Sequence, residues 1–292
     1  MASRYLLNLA ILIAVIVLAV IAFYPAMRNE PPPPMLQLLP VTKADIHTLN
    51  IHSHDKRVLS FSKQGEQWVM TEPVHARASE HRIMTLLDIL QQPASSRLAV
   101  DKNNLAKFGL DAPRYGLEFN EYSLTIGDSD PIHQRRYVMA LDTVYLIDDY
   151  FSHLLTEGEG ALIDHALLPP GSLIEQLQLP DLTLRKKQGQ WQITEASHLA
   201  AEHYSQDSLQ TLIDEWRYGR ALTVTLLDGA EKTHSLPAIK VFIKNQSEPI
   251  VFYVDSSSQD TAYIRPDLKV RYHLTKDTAQ RLTRITEKPD PE

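Results

Sequence analysis

His52 and His54 stand two apart in a stretch that reads as a strand, so both imidazoles project from one face, and Asp55 follows at once. Two imidazoles at that spacing can chelate zinc or copper. A third ligand at a fixed spacing is missing, and the 12 histidines are scattered along the chain. A solvated strand face is therefore the expected reading, and no metal is assigned. His75, His81, His198 and His203 flank helix starts, where a polar side chain on a loop is ordinary. Gly127-Asp128-Ser129-Asp130-Pro131 has the look of a phosphate or calcium loop but lacks the twelve-residue ligand pattern, and reads as hairpin punctuation. Asp164 and His165 adjoin with no nucleophile beside them. The Gly-x-Ser-x-Gly elbow, the Walker loop and the dinucleotide fingerprint are all absent. Cysteine is absent too, which removes disulfides, thiolate metal sites and thiol nucleophiles together. The expectation is a non-enzymatic chain without catalytic residues, cofactor or metal.

With chemistry so thin, the placement of the chain carries more. Residues 5–24, YLLNLAILIAVIVLAVIAFY, hold no charge. Twenty residues at about 1.5 Å each match the roughly 30 Å hydrocarbon core of a bilayer. The run is longer than a secretory signal's apolar core, and Phe23, Tyr24 and Pro25 make a poor cleavage site. Residues 1–28 thus read as an uncleaved single-pass anchor with a cytoplasmic N-terminus. The bulk of the chain is then expected in a bacterial periplasm, tethered to the inner membrane. Residues 29–40 contain Pro31–Pro34 and read as a polyproline spacer. A formal charge of −7 argues against a nucleic-acid partner.

The remainder repeats itself. Residues 57–100 and 181–224 align, Trp68 with Trp191, and Ile83, Leu86, Leu87 and Leu90 with Leu209, Leu212, Ile213 and Trp216. That i, i+3, i+4, i+7 spacing makes one apolar helix stripe, and self-similarity of this kind marks duplicated units. The first unit, 41–165, reads as strands at 45–51, 57–63 and 67–71, a helix over 79–91 and an extended stretch from Leu98. A helical turn stopped at Gly109, strands at 115–119, 122–126, 136–140 and 144–147, and a short helix at 149–156 complete it. The second unit, 166–286, repeats the order with a main helix over 205–217 and closes on a helix over 276–285; residues 287–292 form a tail. The class is α+β: two tandem units, each a mostly antiparallel sheet under one main helix. Trp68 and Trp191, equivalent in the two copies, are expected to be core rather than ligand-stacking residues.

Phe108-Gly109-Leu110-Asp111-Ala112-Pro113, then Leu124-Thr125-Ile126-Gly127, Arg136-Tyr137-Val138 and Val144-Tyr145-Leu146-Ile147, follow the first Trp and its helix. In this pattern the chain resembles the bacterial domain of unknown function numbered 4340, well over 41–165 and as a degenerate second copy over 173–285. The resemblance implies a single-pass envelope protein, similar in some members to auxiliary subunits of gliding-type ABC transport systems. It carries over no catalytic residue. The second unit lacks the Gly-Leu-Asp-x-Pro block. Phe108, Gly109, Leu110, Asp111 and Pro113, with Gly127, are therefore expected to form an interaction loop for a membrane protein, an ABC permease being the partner the resemblance suggests. The alternative is a binding module that holds a small ligand, lipid or glycan between the units. An aromatic-rich hollow at the 157–172 joint would favour that alternative.

Overall fold

The computed structural model describes residues 38–285, apart from 56, 95, 99–101, 133–134, 197–203, 230–232 and 257–259, together with Ile13, Val15 and Val17. The chain divides into two compact units, Met1–Gln37 and Leu38–Glu292. In the first, Ile13, Val15 and Val17 are helical and about half exposed. Among the described residues no helix is long and apolar enough to cross a membrane; the rest of the expected anchor lies outside them.

Two antiparallel sheets build the second unit. The first has nine strands in the order β4-β3-β2-β1-β6-β7-β8-β9-β5. They are β1 (Thr48–Ser53), β2 (Val58–Gln64), β3 (Gln67–Glu72), β4 (Ala76–Arg77), β5 (Ser96–Leu98), β6 (Tyr115–Phe119), β7 (Tyr122–Ser129), β8 (Arg135–Ala140) and β9 (Thr143–Asp148). The second has eight, in the order β12-β11-β10-β14-β15-β16-β17-β13. Its members are β10 (Ile174–Gln178), β11 (Leu182–Lys187), β12 (Gln190–Ala196), β13 (Thr223–Leu226), β14 (Ala238–Ile243), β15 (Ile250–Asp255), β16 (Thr261–Arg265) and β17 (Val270–Leu274). Hairpin turns sit where the chain reverses direction. Asn120, the pair Leu141-Asp142, and Gln188 with Gly189 all have positive φ, which tight turns between twisted strands require.

Helix α1 (Glu80–Asp88) runs on into a 3-10 turn, Ile89–Gln91, and buries Ile83, Leu86, Leu87 and Leu90. A short helix, α2 (Ser152–Thr156), follows β9. Helix α3 (Gln206–Tyr218) starts at Ser205, whose hydroxyl accepts from the Ser208 amide at 3.1 Å, a side-chain cap that Ser79 does not make for α1. Its buried stripe ends on Trp216, which lies 5.9 Å from Tyr263 in a stacked pair and donates its indole N–H to the Leu282 carbonyl of α4 (Lys276–Thr283). Each such side chain contributes about 1.5–3 kcal/mol by leaving water.

Three local features differ from the reading of the sequence. Residues 43–45 form a 3-10 turn, so β1 begins at Thr48 rather than 45; Thr42 and Asp45 exchange hydrogen bonds that close this turn. Leu38 and Leu39, assigned to the spacer, are each 1% exposed and belong to the core. Two adjacent leucines have no neighbours in sequence to reveal a partner, and the core that receives them is made elsewhere. Finally, β4 adds a two-residue strand outside β3, pairing Arg77 with Val69 and Ala76 with Met70.

The core is continuous across both sheets, from Leu38 to Leu282. Residues 159–168 strap the sheets together: Ile163 bridges to Ala78 beside β4, and Ala166 bridges to Arg220 just before β13. Gly160 lies so close to β13 that a Cβ there would collide with the Val224 carbonyl. Asp164 takes an ion pair from each side, Arg77 at 3.3 Å and Arg220 at 3.3 Å. Arg77 also donates to the carbonyls of Ala166 and Leu168.

Candidate functional site

The loop Phe108–Pro113 meets strand β7 at Gly127, and the two glycines explain how. Ile126 pairs with Val138 but Ser129 pairs with Arg136, so β7 spends an extra residue at Gly127-Asp128 and bulges. A Cβ on Gly127 would collide with the Phe108 carbonyl oxygen and stand 3.0 Å from the Leu110 side chain. Gly109, at φ +64°, stops the 3-10 turn Lys102–Phe108, and a Cβ there would strike the Asp128 carboxylate. Each glycine thus makes room for the other's segment. Phe108 packs on Tyr137 of β8 with ring centroids 4.8 Å apart, and Leu110 is 3% exposed. The loop is a plug seated on the sheet.

Arg136 locks this end. Its guanidinium donates to the Gly127 carbonyl at 3.1 Å, to Asp149 at 2.8 Å and to the Ser152 hydroxyl at 3.3 Å. Asp149 in turn accepts from the Ser152 amide at 3.1 Å, which fixes the start of α2. One side chain on β8 therefore ties the bulge, β9's end and a helix.

Around the plug lie three adjoining hollows. The largest, about 710 Å³, is walled by the loop (Gly109, Asp111, Ala112, Arg114), the bulge (Gly127, Asp128) and Arg136 with Ser152. A second, about 430 Å³, shares Ala112, Arg114 and Tyr115 and adds Ser53, His54, Asp55 and Arg57 from the β1–β2 turn. A third, about 100 Å³ and mostly apolar, lies beneath Arg57 and Glu159. Arg57 is taken up by Asp55 and by Glu159 at 2.9 Å, and its hydrogen bonds pull the Asp55 carboxyl down to about 2. Asp111, Asp128 and Arg114 are exposed and hold no side-chain partner among the described residues.

The sequence-selected residues divide accordingly. Of the expected interaction loop, Leu110 points inward and cannot touch a partner; Gly109 and Gly127 serve the interlock; Phe108 packs on the sheet; Asp111 stands in solvent and half-buried Pro113 beside it. His52 lies 3.3 Å from Glu118, while His54 falls past the end of β1 and lines the second hollow. Among the described residues no three His, Cys, Asp or Glu side chains gather as metal ligands. Ser60 and Lys63 have the spacing of a serine nucleophile and its lysine, but at three residues apart on strand β2 they face opposite sides of the sheet. Trp68 and Trp191 are each 2% exposed, and the Trp191 indole donates to Gln210 of α3 at 3.0 Å. The joint has its own hollow, about 460 Å³, lined by Arg77, Glu80, His81, Asp164 and Arg220 with Trp68 its one aromatic. Sequence reasoning passed over Asp149 and Arg114 and took Arg136 only as part of a motif, because the partners of a guanidinium across strands leave no local signature.

Residues 68–224, more than half of the chain, match the model of one family, described as Domain of unknown function (DUF4340). The matched span starts on β3 of the first sheet, crosses the strap and ends on β13 of the second. No curated protein and no solved structure matches.

Proposed function

Because the chain belongs to the DUF4340 family, whose function is unknown, we propose its role from its own residues: a non-enzymatic, membrane-anchored interaction subunit. It is a single-pass inner-membrane protein whose bulk is periplasmic, and it serves an envelope or ABC-type transport assembly. Its folded part is two tandem units descended from one. Strand order supports this reading: β3-β2-β1-β6-β7-β8-β9-β5 corresponds member by member to β12-β11-β10-β14-β15-β16-β17-β13. The 20-residue uncharged run in the sequence supports the anchor.

The observation that carries the reading is an asymmetry between the units. Where β7 and β8 bulge around Gly127, their counterparts β15 and β16 pair in unbroken register from Tyr253 to Asp255. Among the described residues the plugged loop and its exposed rim at Asp111 therefore occur in the first unit alone, on an otherwise duplicated scaffold. A feature added to one copy and held rigidly by Arg136 is suited to contact something outside the fold. The joint hollow, whose lining residues are largely polar or charged with one buried tryptophan among them, gives little support to a ligand held between the units.

Reporter fusions test the placement. A fusion after residue 40 and one at the C-terminus should both be active only as periplasmic reporters, on a protein that stays with membranes after carbonate washing. A mature N-terminus near residue 27, or a washed-off chain, overturns the anchor.

A further inference from the structure

We propose that the hollow at the joint receives a carboxamide, the side chain of a glutamine or asparagine on a bound protein, with the Trp68 indole as its hydrogen-bond donor. The two units carry the argument, because each answers the same tryptophan differently. In the second, the Trp191 indole donates to the Gln210 side-chain oxygen at 3.0 Å. The Gln206 carboxamide takes the Trp191 backbone amide at 3.0 Å and returns a bond to its carbonyl at 2.8 Å, and Ser205 caps the helix. In the first, the alignment of Ile83 with Leu209 puts Met84 where Gln210 stands and Glu80 where Gln206 stands. Methionine has no oxygen to offer. The Trp68 carbonyl is taken by the Ala78 amide at 2.9 Å, Ser79 makes no side-chain cap, and no described residue accepts from the Trp68 indole.

That indole is nonetheless inside the fold. Trp68 is 2% exposed, and the hollow of about 460 Å³ that it lines is walled on one side by Ser79, Glu80 and His81 at the start of α1. A donor withdrawn from water and left unmet is destabilising, so an acceptor oxygen placed there is favoured. The charges choose among acceptors. Asp164 lies 3.3 Å from Arg77 and 3.3 Å from Arg220, and Glu66 and Glu80 share the lining. Two guanidiniums against three carboxylates give an anion no advantage. A carboxamide brings an oxygen for the indole and an NH2 for Glu80. Gln210 makes this double use of its amide in the second unit, where its nitrogen donates to Asp214 at 3.0 Å. One inserted side chain satisfies the hollow, which has no need of a lipid or glycan filling the space between the units.

The inference rests on the reading of the chain as an interaction subunit of two aligned units. Its test uses no partner and shares no residue with the rim at Asp111, so failure of either leaves the other standing. The full-length chain, labelled with 15N-tryptophan and held in mild detergent, gives three indole signals, and the one lost in Trp68→Phe is that of Trp68. It should exchange with solvent faster than the signals of Trp191 and Trp216, whose indoles are hydrogen-bonded. N-acetylglutamine methylamide should shift the Trp68 signal alone, with a dissociation constant on the order of 1 mM for about 14 heavy atoms. The leucine and glutamate analogues should bind at least about fivefold more weakly. Met84→Gln restores the acceptor that the second unit has; it should slow exchange at Trp68 and abolish binding, whereas Met84→Leu should change neither. Unchanged melting curves check that both variants fold. A Trp68 indole that exchanges as slowly as Trp191 in the parent, no shift at about 20 mM glutamine derivative, equal shifts from the three derivatives, or undiminished binding by Met84→Gln overturns the proposal.

Discussion

Gly127→Ala is the sharpest perturbation of the interlock. The added methyl meets a backbone carbonyl, that of Phe108, which cannot swing aside as a flexible side chain would. It also presses on Leu110 at 3.0 Å. Forcing a methyl into a packed site costs about 1–3 kcal/mol, and lifting Leu110 out of the sheet forfeits about 1.5–3 kcal/mol more. The sum is about 2.5–6 kcal/mol if the loop is expelled. Gly65→Ala is the matched control: its φ is +62°, but a Cβ there meets nothing within 4 Å. Only the left-handed strain remains, about 1–2 kcal/mol. Urea unfolding of the two variants beside the parent should put Gly127→Ala below Gly65→Ala, by about 3 kcal/mol at the middle of these ranges. Leu110→Ala should fall between them or alongside the former, at about 2–5 kcal/mol. If Gly127→Ala costs no more than Gly65→Ala, the loop is not seated on the bulge and the reasoning fails.

Trp191→Ala and Trp68→Ala should each lose about 3–5 kcal/mol, read by thermal or urea unfolding. Trp191→Phe should lose less than Trp191→Ala, the difference between the two measuring the ring's packing apart from its hydrogen bond to Gln210. His165 on the strap is held below its ordinary 6.5 by burial and then by Arg82 and Arg220, which outweigh Asp164. Its folded form takes up a proton later than its unfolded form as pH falls, so the stability it contributes is present above about 6.5 and is lost as pH drops towards the folded value. His165→Gln should flatten that part of the stability-against-pH curve, measured as the difference between the two proteins from pH 7.5 to 5. Asp149→Asn should destabilise the end of sheet one by removing the charge that holds Arg136. Hydrogen exchange should then quicken at Ser152 and around the bulge while the second sheet is unchanged.

Much of the scaffold could be read in the sequence because turns announce themselves. Asn120, Asp142 and Gly189 hold the positive φ their hairpins need, and strands on both sides alternate between buried and open positions. The helix stripes were equally legible: Leu209, Leu212, Ile213 and Trp216 are all buried at the spacing that marks one face. What stayed hidden rests on distant pairing. Gly127 inside a strand pattern is a known sign of a bulge or a close backbone approach, yet only the fold reveals that Phe108 is what approaches. Arg136 meets Asp149 across a hairpin, and Asp164 gathers Arg77 and Arg220 from 87 and 56 residues away in the chain, where no periodicity points. Leu110 shows the cost of reading a motif without its neighbours: its place in the most distinctive block suggested a contact surface, and it is interior.

The assembly role is tested most directly by photo-crosslinking in the intact cell. A crosslinking residue at position 111, on the exposed rim of the loop, is compared with one at 245, in an exposed turn of the second sheet. The account predicts that position 111 captures one integral membrane protein in good yield and that position 245 does not. Capture of that protein from both positions alike, or none from 111 while the chain is folded and membrane-bound, would contradict it.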